Sequence, residues 1–272
     1  MSKRPPLNLL MAFPYVKPEV SRFFLERRDE IRILIDSGAF TAWKAGKTIQ
    51  VDDYCRFIEN LPIEPWRYFT LDVVGDPKGT LENYQTMLKR GFKPVPIFTR
   101  GEDPSLLDEY YKSSDVVGIG GLVGTDKNKG FVKGIMRKVN GRKVHWLGFT
   151  NLAFLKVYKP YMADSSTWEM GARFASCSLY LGRGLPIVQI TKHALSKQLR
   201  NPQIVNAIHS YGFNPNDLLK PENWNGGRSI TRRLGARSMR KLSDDVGVNI
   251  GTNLFLAAAT KYAAELLLEE QT

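Results

Sequence analysis

The sequence predicts an α/β protein built as a (β/α)8 TIM barrel with a C-terminal helical extension. Three observations predict this fold: short apolar runs alternate with helix-like segments, eight such runs follow one another, and 272 residues suit one barrel. Alternation at this spacing indicates parallel strands joined by right-handed crossovers. An open doubly wound sheet is the alternative, although no G-x-G-x-x-G follows the first strand.

Each predicted strand is a short apolar run. The eight runs are Leu7–Phe13, Ile31–Asp36, Tyr68–Asp72, Pro94–Phe98, Val116–Gly120, Lys143–Gly148, Tyr161–Asp164 and Ile187–Ile190. Helices are predicted between them at 17–29, 52–60, 78–90, 104–112, 129–138, 151–158 and 167–176. Asp103, placed before Pro104, is typical of a helix start.

The pattern changes after residue 191, and we predict a division there. Residues 1–191 would form the catalytic barrel, and residues 192–272 a C-terminal extension of the same domain. The extension holds turn-rich segments, a basic segment at 228–241, and an Ala/Leu-rich helix at about 252–269 that would dock on the barrel.

The charge balance indicates a polyanionic partner. Lys and Arg total 39 against 27 Asp and Glu, a formal charge of +12, which favours nucleic acid, although a basic protein without such a partner is the alternative. The segment 228–241 has six cations and no acid; it is interpreted as a phosphate-binding segment, with a solvated helix face as the alternative. The cations are Arg228, Arg232, Arg233, Arg237, Arg240 and Lys241.

Several classes of protein are disfavoured. Cys55 and Cys177 are far apart, which argues against a disulfide framework or a zinc cluster. His145, His193 and His209 lack metal-site spacing and are interpreted as structural or surface residues. We predict no metal or other cofactor. No signal peptide and no apolar run of about 18 residues is present, so we expect a cytoplasmic protein without a membrane partner.

Acids and glycines fall where the predicted strands end. Active sites of barrels form at the carboxyl ends of the strands, so these residues are expected to face one cavity. Each aspartate alone could be an ordinary helix cap or turn residue, and each glycine a turn residue. The residues at strand ends are Asp36, Asp72, Asp164, Gly120, Gly121 and Gly148.

Carboxylates converging on one cavity suggest chemistry at a glycosidic carbon. Two carboxylates about 5 Å apart can act as nucleophile and as acid/base at such a carbon. Glycines beside them let a flat base approach the backbone. A third carboxylate could accept two hydrogen bonds from a guanine-like edge. This pattern predicts Asp36 and Asp164 as the catalytic pair and Asp72 as the third group.

Five segments, in order along the chain, resemble motifs of the tRNA-guanine transglycosylases. They are DSGAF at 36–40, TLDVVGD at 70–76, GIGGLVG at 118–124, HWLGFTN at 145–151 and ADSSTW at 163–168. The chain lacks that family's zinc cluster, carries Arg100 where a glutamine is usual, and is shorter. With these departures it looks more like the phage-type branch that inserts 7-deazaguanines into DNA to evade restriction.

The resemblance implies an enzyme that exchanges guanine in DNA for a free 7-deazaguanine such as preQ0. Asp164 would be the nucleophile and Asp36 the general acid/base. The DNA would be single-stranded or locally melted, because extrusion of a base costs free energy. Substrate contacts are expected at Ser37, Gly38, Phe40, Asp72, Gly120, Gly121, Leu122 and Gly148.

Three other functions stay open, and so does the oligomeric state. The same chemistry could act on tRNA. The chain could be a non-catalytic nucleic-acid-binding barrel, or a base hydrolase in which water replaces the second base.

Overall fold

The centre of the computed structural model is a parallel sheet of eight strands. The structure describes residues 4–122, 129–170, 175–182, 186–224 and 229–269. Across the sheet the strand order is β3-β2-β1-β10-β7-β6-β5-β4. Its strands are β1 Leu7–Ala12, β2 Ile31–Asp36, β3 Arg67–Tyr68, β4 Ile97–Phe98, β5 Val116–Ile119, β6 Lys143–Trp146, β7 Met162–Ser165 and β10 Asn253–Ala257.

The sheet curls until its two edges touch. Phe69, directly after β3, forms a single parallel bridge with Val95, just before β4. The Val95 N–H donates to the Tyr68 carbonyl at 2.8 Å, and the Thr70 N–H donates to the Val95 carbonyl at 3.0 Å. The result is a curled, TIM-like α/β sheet in which one bridge, rather than a continuous ladder, joins β3 to β4.

Helices flank the curled sheet. Most of the predicted helices are present within a few residues of their expected bounds. They are α1 Pro18–Glu26, α2 Ala39–Lys44, α3 Val51–Glu59, α4 Pro77–Lys89, α5 Ser105–Ser113, α6 Lys129–Val139, α7 Leu152–Tyr158, α8 Thr167–Met170, α9 Leu195–Gln198, α10 Pro202–Ser210, α11 Ile230–Ile250 and α12 Lys261–Leu268.

The strands are buried on both faces, which explains their nearly continuous apolar sequence. In β2, Ile33 and Ile35 pack in the large core that also contains helix residues. Leu34 points the other way and joins a second cluster with Phe69, Met162 and Phe255, whose members all lie on strands or beside them. This second cluster fills the inside of the curl.

The predicted eighth strand is wrong. Ile187–Ile190 lies in β9 Ile187–Thr191, which pairs antiparallel with β8 Ser176–Tyr180 in a separate two-stranded sheet. The eighth strand of the main sheet is β10, between β1 and β7. The predicted boundary at residue 191 therefore does not coincide with the end of the sheet, because the chain returns to it near the C-terminus.

The segment between β7 and α11 is an insertion with its own core. Its hairpin and short helices bury Leu179, Ile190, Ile208 and Trp224 together with Leu234 of α11. The short apolar run of β9 suits a strand of a hairpin as well as a strand of the main sheet, so the sequence alone did not distinguish the two.

Two predicted helices also differ from the structure. Of the helix expected at 167–176, Thr167–Met170 is helical, 171–174 lie outside the described residues, and Ser176 already belongs to β8. The expected C-terminal helix at about 252–269 is divided into β10 and α12, and Thr260 caps α12 through its side chain. No helix in the described ranges is both long and apolar enough to cross a bilayer.

The position of the eighth strand can be tested by stability measurements. We expect Phe255→Ala to lower the free energy of unfolding by about 3–5 kcal/mol, because the side chain is fully buried inside the curl. Val248→Ala, at a position 74% exposed, is the matched control and should change it by less than about 0.5 kcal/mol. Chemical denaturation measures both, and equal small losses would contradict the strand assignment.

Candidate active site

Asp36 and Asp164 both point into the curled sheet at its carboxyl end. Asp36 is the last residue of β2 and follows the interior residue Leu34 by two positions. Asp164 follows the interior residue Met162 by two positions in β7. Since residues two apart in a strand share a face, both carboxyl groups lie above the interior cluster.

A tight turn after β2 shapes the surroundings of Asp36. The Gly38 N–H donates to Asp36 Oδ1 at 2.7 Å. Gly38 has φ +75°, and a Cβ there would lie 2.3 Å from Cδ of Pro14. Only glycine fits this left-handed position, so the apolar run can end on a carboxylate and turn at once into α2.

Ser37 connects this turn to Asp72. Its buried hydroxyl donates to Asp72 Oδ1 at 2.7 Å, which joins the segments that follow β2 and β3. Asp72 is half-buried. Burial raises the pKa of the Asp72 carboxyl above its ordinary value, and the Ser37 hydrogen bond opposes that rise.

Electrostatics couple the three aspartates. Burial raises the pKa of Asp36 to about 7, with further contributions from the negative charges of Asp72 and then Asp164. The Gly38 N–H lowers this pKa only in part. Asp72 and Asp164 are thus both close enough to influence the ionisation of Asp36.

Asp164 is held by two donors on one oxygen. Its Oδ1 lies 2.9 Å from His145 Nε2 and accepts a hydrogen bond of 2.8 Å from the Gly148 N–H. His145 is fully buried in β6, and Gly148 has φ +62° directly after that strand. Gly148 was predicted to contact substrate, but its N–H is already used to position Asp164.

The burial of His145 indicates where its proton lies. No hydrogen-bond partner of Nδ1 is present among the described residues. A proton on that buried nitrogen would be unsatisfied, so the neutral ring carries its proton on Nε2 and donates to Asp164. The sequence predicted His145 to be a structural or surface residue, because the histidines lack metal-site spacing. The contact with Asp164 follows from the pairing of β6 with β7.

The glycines after β5 form a close-packed rim. The Gly120 N–H donates to the Phe98 carbonyl at 2.8 Å, so this donor belongs to the strand ladder. Gly121 is exposed with φ +69°, and a Cβ would lie 2.8 Å from Cβ of Arg100. Leu122 is fully buried. The rest of the predicted loop motif, 123–124, lies outside the described residues.

Phe40, expected to contact substrate, lies on α2 and is 53% exposed. Its ring stacks on Trp43 with centroids 5.9 Å apart. The ammonium of Lys44 lies 4.3 Å from the Phe40 ring centroid. Close to the turn that holds Asp36, the helix therefore presents an aromatic surface with a cation on it.

Glu102 is a buried carboxyl group that sequence analysis missed. It follows β4 and is 8% exposed, and its Oε2 accepts a hydrogen bond of 2.6 Å from the Thr99 N–H. Burial raises the pKa of Glu102. Its position in a polar loop, four residues past the end of an apolar run, resembles that of many surface acids.

The predicted phosphate-binding segment is largely buried. Arg237 and Arg240 are 6% and 3% exposed. Arg237 donates to the Tyr211 carbonyl at 3.0 Å, and Arg240 pairs with Asp244 at 3.1 Å. Buried guanidinium groups cannot contact a phosphate backbone, so these two residues fasten α11 instead.

The remaining cations of that segment are paired. Arg232 contacts Glu169 at 3.2 Å, Arg233 contacts Glu269 at 3.1 Å, and Lys241 pairs with Asp245. Arg228 lies outside the described residues. Arg237 and Arg240 are buried because α11 packs against β10 and against the inserted hairpin, whereas Arg233 and Lys241 stay partly exposed.

The pKa of Asp36 predicts a pH-dependent stability. Because its folded-state pKa of about 7 exceeds the ordinary 3.8, ionisation of Asp36 favours unfolding. The stability from this proton is complete below about pH 4 and is lost as pH rises through about 7. Asp36→Asn removes this loss. The stability of the variant relative to wild type should therefore rise by about 2 kcal/mol between about pH 5.5 and pH 8.5.

Chemical denaturation at the two pH values measures this difference. Asp29→Asn is the control, because Asp29 is an exposed carboxylate at the opposite end of the sheet. A stability difference that does not change with pH would show that Asp36 is an ordinary ionised aspartate.

Comparison with known proteins does not place the chain in a family. No protein-family model matches the chain, and no curated protein matches it. Within the described residues, no group of three or more His, Cys, Asp or Glu side chains could hold a metal ion. In the site, one aspartate is oriented by two donors and another has a pKa of about 7.

Proposed function

We propose that the protein is a base transglycosylase, a cytoplasmic (β/α)8-barrel enzyme that exchanges guanine in DNA for a 7-deazaguanine. The supporting observation is that two carboxyl groups at one end of the curled sheet have different environments. Asp164 has one oxygen saturated by His145 and Gly148, and Asp36 has a pKa of about 7. Such a difference is typical of a nucleophile and an acid/base that act together.

The first step uses the free oxygen of Asp164. With Oδ1 held by two donors, Oδ2 is the atom available to attack C1′ of the deoxyribose. A bond forms between Oδ2 and C1′ as the bond from C1′ to guanine breaks. The donors on Oδ1 keep the carboxylate in one orientation before and after this step.

The second carboxyl group, Asp36, donates and accepts the proton. Protonated Asp36 gives its proton to the departing guanine and becomes a carboxylate. The incoming 7-deazaguanine then attacks C1′ through N9, releases Asp164, and returns its N9 proton to Asp36. Two inversions retain the β configuration. A pKa of about 7 suits both directions of transfer near neutral pH.

The neighbouring groups suit a purine. Asp72 uses one oxygen for Ser37, which leaves the other to accept hydrogen bonds from a guanine-type edge. Gly121 lets the rim pack directly against Arg100, where any side chain would collide. The exposed ring of Phe40 offers a stacking surface. Together, these groups would recognise the edge and the face of the base.

An exchange assay tests this function. Labelled guanine or preQ0 is incubated with DNA and, in parallel, with tRNA. We expect label to enter DNA with the wild-type protein, and Asp164→Asn to abolish incorporation. Asp36→Asn should reduce the rate about 10²–10⁴-fold, because an amide cannot exchange a proton with the base. Asp29→Asn, far from the site, is the control.

Each alternative function gives a different result. Label in tRNA alone would assign the activity to tRNA. Release of free guanine in the absence of a deazaguanine would indicate a hydrolase. Salt-dependent DNA binding with no exchange and no covalent adduct at Asp164 would leave a non-catalytic barrel. Unchanged exchange in Asp164→Asn would remove Asp164 from the proposed role.

A further inference from the structure

Most of the insertion that follows β7 has cations but no acids. Residues 170–216 contain no Asp or Glu and five Lys or Arg. Three of the five, Lys192, Lys197 and Arg200, lie in the described ranges. The cations of α11 are buried or paired, so the insertion is a better candidate for contact with an anionic partner.

The start of α11 lies at the carboxyl end of the curled sheet. Glu169, shortly after β7, pairs with Arg232 in the first turn of α11. The other oxygen of Glu169 accepts a hydrogen bond of 3.1 Å from the N–H of Ala259, which follows β10. One carboxylate therefore joins the ends of β7 and β10 to the beginning of α11.

The open end of the hairpin is aligned with this same region. The Cys177 thiol lies 3.2 Å from the carbonyl of Thr231, at the start of α11. Tyr180, nearer the hairpin turn, donates through its N–H to Ser238, about two turns further along. Strand β9 therefore runs back towards the carboxyl end of the sheet, the end at which Asp164 lies.

The chain after β9 presents its cations to solvent. The Lys192 N–H donates to the Ala175 carbonyl at 3.1 Å, which ties the turn after β9 to the residue that precedes β8. Lys192, Lys197 and Arg200 are exposed, and none forms an ion pair with an acid among the described residues.

The turn after β9 is also held in place by hydrogen bonds and by a buried side chain. Gln198 accepts a hydrogen bond from the Thr191 N–H at 3.0 Å and donates to the Gln189 carbonyl at 2.7 Å. Leu195 is buried in the core of the insertion. The cations therefore project from a fixed turn, and less entropy is lost when they bind than would be lost by a flexible tail.

We propose that Lys192, Lys197 and Arg200 form the surface that binds the phosphate backbone of the DNA strand whose nucleotide reaches Asp164. This proposal rests on the proposed function for the identity of the strand. Exposed cations that form no ion pair are available to a polyanion, and the position of the turn at the carboxyl end would let one DNA strand contact both these cations and the cavity.

The test is the salt dependence of DNA binding. Binding of a fluorescent single-stranded oligonucleotide is measured for wild type and for the triple variant Lys192→Gln, Lys197→Gln and Arg200→Gln. Each phosphate contact on a single strand contributes about 0.7 to the slope of log affinity against log salt. We expect the slope to fall by about 2 in magnitude, with weaker binding at low salt.

A matched triple variant controls for net charge. Arg28→Gln, Lys93→Gln and Lys156→Gln remove three exposed cations at or towards the amino end of the sheet. The control should retain the wild-type slope. An equal fall in both variants, or no fall in the first, would overturn the proposal.

The two proposals fail separately. The binding assay contains no deazaguanine and needs no turnover. If the slope falls in the triple variant while the wild-type protein shows no exchange, the DNA-binding surface is supported and the transglycosylase assignment is wrong. If exchange occurs and the slope is unchanged, the enzyme assignment stands and DNA binds elsewhere.

Discussion

The structure depends on burying carboxyl groups at the carboxyl end of a curled parallel sheet. Charged groups are costly to desolvate, and each of the three aspartates meets that cost differently. Asp164 accepts two hydrogen bonds, Asp72 accepts one from Ser37, and Asp36 responds by a raised pKa. The glycines at 38 and 148, both with positive φ, deliver N–H donors to two of them. The unusual sequence at the end of β2 follows from this arrangement.

The same constraint makes the aspartates chemically unequal. They are the same type of side chain, and the backbone and His145 decide which is oriented and which is protonated near neutral pH. The His145 imidazole orients the Asp164 carboxylate, and the ring itself packs edge-on against Phe69. The positioning group His145 thus comes from β6, and the two carboxyl groups proposed to react come from β2 and β7. The curled shape of the sheet is what brings them to one end.

Much of this arrangement could be predicted from the sequence. Seven strands and most helices followed from apolar runs, and Asp36, Asp72 and Asp164 followed from the ends of those runs. The eighth strand could not, because β10 has the composition of its neighbouring helix, and β9 has the periodicity of a strand in either sheet. His145 and the burial of Arg237 and Arg240 depend on which elements pack together, and local sequence carries no record of that.

The most direct test of the account is a titration of the Asp36 carboxyl carbon by ¹³C NMR in wild type and in Asp72→Asn. We expect a midpoint near pH 7 in wild type, because the group is buried beside two other carboxylates. Removing the charge of Asp72 should move the midpoint to a lower pH. An ordinary midpoint near 3.8 in wild type, unaffected by the substitution, would show that the three aspartates do not share one cavity.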